Sequence, residues 1–218
     1  MKAAEAQTQV SDYWTRRAPA FDGVASHVAQ ASLWRDVLAA AFEGEEAKDV
    51  VDLGTGTGAC ALIAASLGHR VRACDGSEGM RAAARQAAAA SGLDITFEHA
   101  LIEEASFAPG SADIVTLRNV LWTLPEPMAA LRRAHAILRP GGVLLVSDGL
   151  WSVAAQYRST YPEILAASLP RHDGLTEEDA RMMLAEAGFG PARSWQHLFP
   201  ASPYPGDVPM FVLTANKG

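Results

Sequence analysis

Strand-type and helix-type apolar patterns alternate along the middle of the chain. Short apolar runs predict strands at 49–53, 71–74, 95–97, 114–117 and 143–146. Stretches with helical spacing, several of them rich in alanine, lie between these runs. This alternation is typical of an α/β fold with a mostly parallel sheet. Two late runs, around 192–198 and 210–214, bring the predicted sheet to seven strands, and we expect helices on both of its faces.

Regularity is weaker at the N-terminus and after the fifth strand. Apolar residues at helical spacing between 25 and 43 predict an amphipathic helix, and we expect residues 1–43 to form a helical lid. Residues 149–175, rich in aromatic residues and proline, predict a helical insertion where ligand-binding loops tend to lie. A capping pattern at Thr176 predicts one more helix. We expect a single domain over residues 1–218.

Composition and charge narrow the class of protein. Of 218 residues 49% are hydrophobic, which is enough for one well-packed domain. With 18 Lys and Arg against 25 Asp and Glu, the net charge is −7, and no basic run is present, so we expect no nucleic-acid partner. The longest apolar run, 59–65, is too short to span a bilayer, so we expect no membrane partner. No signal-peptide pattern follows Met1, which favours the cytoplasm, and we expect a monomer or homodimer.

The two cysteines do not indicate a disulfide framework or a metal site. Cys60 and Cys74 lack the spacing of either, and no paired histidine accompanies them. We therefore expect both to be buried and reduced, and no metal to be bound.

A glycine-rich turn joins the first strand to the next helix. Gly54, Gly56 and Gly58 allow positive φ angles and let a ligand lie against bare backbone. Asp75 ends the following strand, where a carboxylate can accept both hydroxyl groups of a ribose. Turn and acid together predict a ligand that carries adenosine. The plainer interpretation is a set of glycines that only permits tight packing of helix against strand.

The spacing of the turn distinguishes between adenosine ligands. A dinucleotide site has the pattern G-x-G-x-x-G, whereas this chain has G-x-G-x-G with Asp52 two residues ahead of it. A carboxylate there repels a pyrophosphate and attracts an ammonium group. The pattern therefore favours S-adenosylmethionine, and a nicotinamide-dependent oxidoreductase stays as the alternative.

At these motifs the chain resembles the class I S-adenosylmethionine-dependent methyltransferases, in their small-molecule branch. The resemblance rests on residues 50–58, 74–77 with Met80, 117–122 and 138–145, in the order and spacing of that family. Residues 13–22 also resemble the lead-in helix of the small-molecule branch. The implied fold is Rossmann-like. The implied reaction is methyl transfer from S-adenosylmethionine to a small-molecule acceptor by in-line displacement, with S-adenosylhomocysteine as product; a non-catalytic S-adenosylmethionine-binding protein remains possible.

The resemblance also implies which residues bind the cofactor. These are Asp52, Gly54, Thr55, Gly56, Gly58, Asp75, Gly76, Ser77, Met80, Leu101, Ile102 and Asn119. Many relatives have an aspartate that accepts the amino group of adenine where this chain has 100–102, Ala-Leu-Ile. We therefore expect the backbone of Leu101 and Ile102, or the nearby Glu103, to hold the adenine.

The candidate residues for binding the acceptor and for accepting its proton rest on less specific patterns. Methyl transfer needs placement of the acceptor more than a dedicated residue, and a base helps only where the acceptor atom carries a proton. The candidate bases are Asp148, His172, His27 and Tyr13. Aromatic residues suited to a planar or apolar acceptor are Tyr13, Trp14, Phe21, Trp122, Trp151, Tyr157 and Tyr161.

Overall fold

The computed structural model describes residues 2–21, 31–42, 44, 46–153, 161–204 and 206–218. Its strands are β1 (Asp49–Leu53), β2 (Arg70–Asp75), β3 (Ile95–His99), β4 (Ala112–Arg118), β5 (Leu138–Gly149), β6 (Arg193–Ser194) and β7 (Met210–Asn216). They form one seven-stranded sheet in the order β3-β2-β1-β4-β5-β7-β6. Strands β1 to β5 pair in parallel, and β7 runs antiparallel to β5 and β6. The mostly parallel, seven-stranded sheet that the apolar runs predicted is confirmed.

Helices connect most of the strands. They are α1 (Ala3–Phe21), α2 (Ala31–Ala41), α3 (Ala59–Ser66), α4 (Glu78–Ala90), α5 (Pro127–Ile137), α6 (Glu163–Ala166) and α7 (Glu177–Glu186). Contacts link α1 to α4, α4 to α3 and α3 to α2, whereas α5 contacts α7. The helices thus fall into two groups, as expected for a sheet covered on both faces.

Local capping explains where two of the helices begin. The hydroxyl of Ser77 accepts a hydrogen bond from the backbone N–H of Met80 at the start of α4. Thr176 and Asp179 form a reciprocal capping box at the start of α7. The predicted start at Thr176 is confirmed.

The last strands differ in length from the prediction. The expected strand around 192–198 shrinks to β6, because the chain turns into a short 3₁₀ helix at Gln196–Leu198. In contrast, β5 begins at Leu138, ahead of the expected 143–146, and an irregular register opposite Ala112 and Ile114 accommodates its Pro-Gly-Gly segment.

The insertion after β5 holds less helix in its described part than we expected. It has a 3₁₀ turn at Trp151–Val153 and the four-residue α6, and buried Leu165 and Leu169 attach it to the core. Two prolines, Pro162 and Pro170, bracket α6 and limit its length. Residues 154–160 lie outside the described part, as do 22–30 in the predicted helix over 25–43, of which α2 is the observed portion.

Three further features bear on the class of protein. Cys60 and Cys74 are buried and free, as expected. Among the helices of the described residues, none combines the length and apolar character needed to cross a bilayer. The same residues contain no group of three or more His, Cys, Asp or Glu side chains placed to hold a metal ion.

Candidate active site

The loops that follow β1, β2 and β4 meet at one edge of the sheet, because the carboxyl ends of parallel strands lie together. A cavity of about 550 Å³ opens there, between these loops and α1. All of the predicted cofactor-binding residues line this cavity except Gly58. The structure thus brings together side chains that sequence reasoning took from four separate motifs.

The three glycines of the first turn meet different requirements. All have positive φ angles, of 67°, 57° and 93° for Gly54, Gly56 and Gly58. A Cβ at Gly54 would collide with a methyl group of Val120, and one at Gly58 would press on Ala84. A Cβ at Gly56 would meet no protein atom within 4 Å. Packing therefore accounts for Gly54 and Gly58, whereas at Gly56 the open space belongs to the cavity.

Asp75 lies at the end of β2 and ties the glycine turn to that strand. Its Oδ2 accepts a hydrogen bond from the Gly56 N–H at 2.8 Å, and its Oδ1 accepts one from the Ser77 N–H at 2.8 Å. Burial nevertheless raises the pKa of Asp75 to about 6. Each carboxylate oxygen retains a lone pair, so the group can still accept hydroxyl donors from a ligand.

Asp52 is the second carboxylate of the cavity and is almost fully buried. Its two oxygens accept hydrogen bonds from the hydroxyls of Thr55 and Thr116. Burial raises the pKa of Asp52, and the nearby guanidinium of Arg118 opposes that shift. The threonines fix this carboxylate at the end of β1, beside the glycine turn.

Arg118 and Tyr204 are parts of the site that sequence reasoning did not single out. Arg118 ends β4, lines the cavity, and lies with its Cζ 4.1 Å from the ring centroid of Trp34. Tyr204, from the segment before β7, exchanges hydrogen bonds with the side chain of Asn119. A charged residue directly after the predicted strand at 114–117 was the available signal for Arg118. Tyr204 carried no signal, since it lies 85 positions from its partner.

Asn119 itself has a φ angle of 56°, which asparagine tolerates better than most residues. Its carbonyl accepts a hydrogen bond from the indole N–H of Trp122 at 3.0 Å. One of the two lone pairs of this backbone carbonyl remains free to accept a hydrogen bond from a ligand in the cavity. The bond to Trp122 joins the cofactor residues to the aromatic ones.

Helix α1 covers the cavity with one of its faces. Residues that line the cavity recur along it at intervals of three and four, namely Gln7, Val10, Ser11, Trp14, Arg17 and Phe21. The hydroxyls of Thr15 and Ser77 lie 2.9 Å apart, and a Cβ at Gly79 would come within 2.7 Å of the Thr15 carbonyl oxygen. The lack of a side chain at Gly79 thus lets α1 lie directly on the start of α4.

The predicted aromatic residues form a layered cluster. Trp14, Phe21, Trp122 and Trp151 line the cavity. Behind them the Tyr161 hydroxyl accepts a hydrogen bond from the Trp14 indole at 2.8 Å, and the Tyr13 and Tyr161 rings lie 4.7 Å apart. Tyr13 and Tyr161 therefore support the wall and do not line the cavity. Tyr157 lies outside the described residues.

Three of the four candidate bases, Asp148, His172 and Tyr13, lie within the described residues, and none of them lines the cavity. Asp148 is fully buried and accepts hydrogen bonds from the Trp151 indole, at 2.9 Å, and from the backbone N–H groups of Gly149 and Trp122. Burial raises its pKa to about 7. His172 is partly exposed and bonds the Leu169 carbonyl through Nδ1.

Of the remaining two candidate bases, the structure describes Tyr13 but not His27. Tyr13 stands behind Trp14, as noted above, and burial raises its pKa. His27 lies outside the described residues. Asp148 is thus placed to hold the aromatic wall, and no candidate base is seen in contact with the cavity among the described residues.

Comparison with known proteins identifies the family. Residues 51–146 match the model of the methyltransferase domain. The chain is 36% identical over 119 residues to tRNA 5-carboxymethoxyuridine methyltransferase of Escherichia coli strain K12, which covers 53% of this chain and 46% of that protein. It is 30% identical over 182 residues to demethylmenaquinone methyltransferase of Paenarthrobacter aurescens, which covers 82% of this chain and 69% of that protein. The chain belongs to the class I S-adenosylmethionine-dependent methyltransferases.

A solved structure shows the same fold over the full chain. It is the Burkholderia thailandensis 1,6-didemethyltoxoflavin-N1-methyltransferase with bound 1,6-didemethyltoxoflavin and S-adenosylhomocysteine, with a TM-score of 0.71 and 21% identity. The match covers 100% of this chain and 91% of that one. By contrast, the chain spans about half the length of the Escherichia coli relative.

The methyltransferase family uses S-adenosylmethionine as its cofactor, in agreement with the expectation from the glycine turn. The residues of this chain fit that molecule on two counts. A buried carboxylate stands at the end of β1 and a half-buried one at the end of β2, and the surface at Gly56 is bare backbone facing open space. No support for a nicotinamide cofactor came from these comparisons.

Proposed function

We propose that this protein transfers a methyl group from S-adenosylmethionine to a small-molecule acceptor. The observation that carries the proposal is the position of Asp75. Its carboxylate is fixed by two backbone N–H groups at the wall of a cavity that also contains Asp52 and bare backbone at Gly56. The membership of the methyltransferase family supports the same reaction.

Each part of the cavity has a role in this proposal. Asp75 accepts the ribose hydroxyls, Asp52 lies near the ammonium group, and Leu101 and Ile102 border the adenine. Gly54, Thr55, Gly56, Gly76, Ser77, Met80 and Asn119 complete the cofactor wall. The negative faces of Trp14 and Trp122 suit the approach of a sulfonium cation.

The chain's own contribution to the reaction is placement and exclusion of water. When bound, S-adenosylmethionine would supply an electrophilic methyl group, and transfer of that group to the acceptor would leave the C–S electron pair on sulfur, as the neutral thioether of S-adenosylhomocysteine. Helix α1 covers the cavity, and the tryptophans hold the acceptor in line, which is where most of the acceleration of such a reaction originates. None of the candidate bases within the described residues lines the cavity. A proton carried by the acceptor atom therefore passes to solvent or to a group outside the described residues.

The size and charge of the molecule favour a small acceptor. The cavity of about 550 Å³ lies under α1, and the net charge of −7 disfavours a nucleic acid. The demethylmenaquinone and toxoflavin enzymes named above act on small molecules by their names, whereas the Escherichia coli relative is a tRNA enzyme. We further propose a single domain over residues 1–218, acting in the cytoplasm.

Two measurements test this function. Calorimetric titration with S-adenosylmethionine and with NADH should give binding of the first and none of the second. Incubation with S-adenosylmethionine and a panel of phenols, amines and thiols should then release S-adenosylhomocysteine in an acceptor-dependent manner. Binding without release from any acceptor would instead favour a non-catalytic S-adenosylmethionine-binding protein.

A further inference from the structure

The face of α1 that lines the cavity continues past the cofactor residues. Ser11 lies next to Gly76, because a Cβ at Gly76 would come within 2.8 Å of the Ser11 hydroxyl. Arg17 follows Ser11 by six positions, or about 9 Å along the helix axis. Trp14 and Phe21, on either side of Arg17 in sequence, line the same cavity. Arg17 therefore lies at the end of the cavity formed by the aromatic wall.

Arg17 differs in its position from the other charged residues that line the cavity. Of the charged side chains that line it in the described part of the chain, Asp52, Asp75 and Arg118 lie at the ends of strands, and Arg17 lies on α1. Its Cζ is 5.5 Å from the ring centroid of Tyr13, which lies behind the wall. Within the described residues, no carboxylate forms an ion pair with Arg17.

The neighbouring rings restrict the shape of what can bind there. The ring centroids of Trp14 and Trp122 lie 6.1 Å apart, and those of Trp122 and Trp151 lie 5.8 Å apart. Such surfaces favour a flat, apolar body by stacking or edge contacts. An arginine at the rim adds a planar, permanently charged group that matches a carboxylate.

Resting on the proposed function, we infer that the acceptor is a planar aromatic acid whose carboxylate binds Arg17. A local cation matters here because the protein as a whole carries a net charge of −7 and repels anions at a distance. The tryptophans then hold the ring, and the ion pair fixes its orientation toward the cofactor end. Arg17 is a specificity-determining residue in this scheme.

Two probes of equal shape and different charge test the inference. Protein saturated with S-adenosylhomocysteine is titrated calorimetrically with 2-naphthoate and with 2-naphthamide. We expect naphthoate to bind about tenfold more tightly, the size of one partly exposed charge-assisted contact. Arg17→Gln should abolish this preference. Arg16→Gln is the matched control, because Arg16 is the neighbouring arginine on the same helix, is exposed as Arg17 is, and does not line the cavity.

The outcomes separate this inference from the proposed function. Equal affinity of the two probes, no binding of either at millimolar concentration, or equal loss of preference in Arg16→Gln overturns the role of Arg17. Arg17→Gln should keep its affinity for S-adenosylhomocysteine, and a lost preference accompanied by lost cofactor binding also counts against it. If the wild type fails to bind S-adenosylhomocysteine, the proposed function fails, and titration of the free protein with both probes still decides the anion preference.

Discussion

The two ends of the cavity are built in different ways. At the cofactor end, the last residues of β1 and β2 include Asp52 and Asp75, and each carboxylate is held by donors a few residues away and by a donor on or just after the adjacent strand. At the acceptor end, the side chains come from α1, the loop after β4 and the insertion. Trp14 and Tyr161, which hydrogen-bond there, are 147 positions apart.

The cofactor end is thus fixed by the sheet, whereas the acceptor end is fixed by the docking of α1 and the insertion. Backbone N–H groups, threonine hydroxyls and parallel pairing, none of them from α1, hold the two carboxylates of the cofactor end. The acceptor wall exists only while α1 and the insertion lie against the loop after β4. We therefore expect changes at the cofactor end to act on cofactor affinity, and changes in α1 or around Asp148 to act on the acceptor wall.

The largest effect is expected from filling the space at Gly56. Gly56→Val should weaken cofactor binding at least 100-fold, about 3 kcal/mol, because the side chain enters the cavity. The positive φ angle adds strain of about 1–2 kcal/mol to the fold. Gly92→Val is a matched control, since Gly92 has a φ angle of 64° with open space around it and lies outside the cavity. Calorimetry should show loss of binding in the first variant alone; retained binding would make the turn a packing device.

Removing the carboxylate of Asp75 should have the next largest effect. Asp75→Ala should weaken S-adenosylmethionine binding by about 1.5–3 kcal/mol, because two charge-assisted hydrogen bonds to the ribose are lost. A folded variant with an unchanged dissociation constant would remove Asp75 from the site.

The titration of Asp75 provides a second test of the same contact. Its pKa is raised to about 6, so the acceptor form is lost as the pH falls through 6, and wild-type affinity should decrease in that direction. Asp52 and His99 are its titratable neighbours. Asp75→Asn should bind with an affinity that changes little between pH 5 and 8, and a variant that keeps the full wild-type pH dependence would assign that dependence to another group.

The same contrast explains what the sequence could predict. The strands of the sheet, the glycine turn, Asp75 and the cap at Ser77 are encoded by residues close in sequence, and each was predictable. The site roles of Arg17 and Tyr204 depend on how α1 and the segment before β7 dock, which no local pattern records. Asp148 shows most directly where prediction from the sequence ends. Its place at the end of β5 was predictable, but the burial of the Asp148 carboxylate behind two tryptophans was not.

The pH dependence of stability tests the support of the acceptor wall by Asp148. Its pKa is raised to about 7 by burial, well above the value near 3.9 of an unfolded chain. The folded protein then binds more protons between about pH 4 and 7, so this group makes stability fall as the pH rises through that window, by an amount of the order of 1–3 kcal/mol. Asp75 acts in the same direction, and His69, whose pKa is lowered by burial, acts in the opposite one.

Asp148→Asn removes this titration while keeping a group of the same shape. Urea unfolding at pH 5 and pH 8 should therefore show a smaller difference in the free energy of unfolding for the variant than for the wild type. Cofactor affinity should change little, because Asp148 does not line the cavity. An unchanged pH difference would show that Asp148 does not titrate in this range, and a large loss of cofactor affinity would show that the two ends are coupled.

The smallest effect is expected at the contact between α1 and the cofactor end. The residues of α1 buried against the body are small, namely Ala6, Val10 and Ala18. The hydroxyl of Thr15 fastens the helix to α4, because it lies 2.9 Å from the Ser77 hydroxyl and accepts a long hydrogen bond, of 3.5 Å, from the Gly79 N–H. Such a helix should open at a lower free energy than the sheet and close more firmly over bound S-adenosylhomocysteine. Hydrogen exchange of the amides at residues 10–20 should then slow when this ligand is added, while exchange in β1 stays slow throughout.

Thr15→Val removes this hydroxyl and thereby tests its contribution to closure. It should cost about 0.5–1.5 kcal/mol, the usual value of a single hydrogen bond, and raise the exchange rate of α1 by roughly two- to tenfold. Thr8→Val is the matched control, because Thr8 lies on the exposed side of the same helix and bonds only the Ala4 carbonyl. Exchange in α1 that is equally slow with and without ligand would make the helix a permanent part of the fold. The acceptor wall would then be as rigid as the cofactor end, because its docking would no longer depend on what the cavity holds.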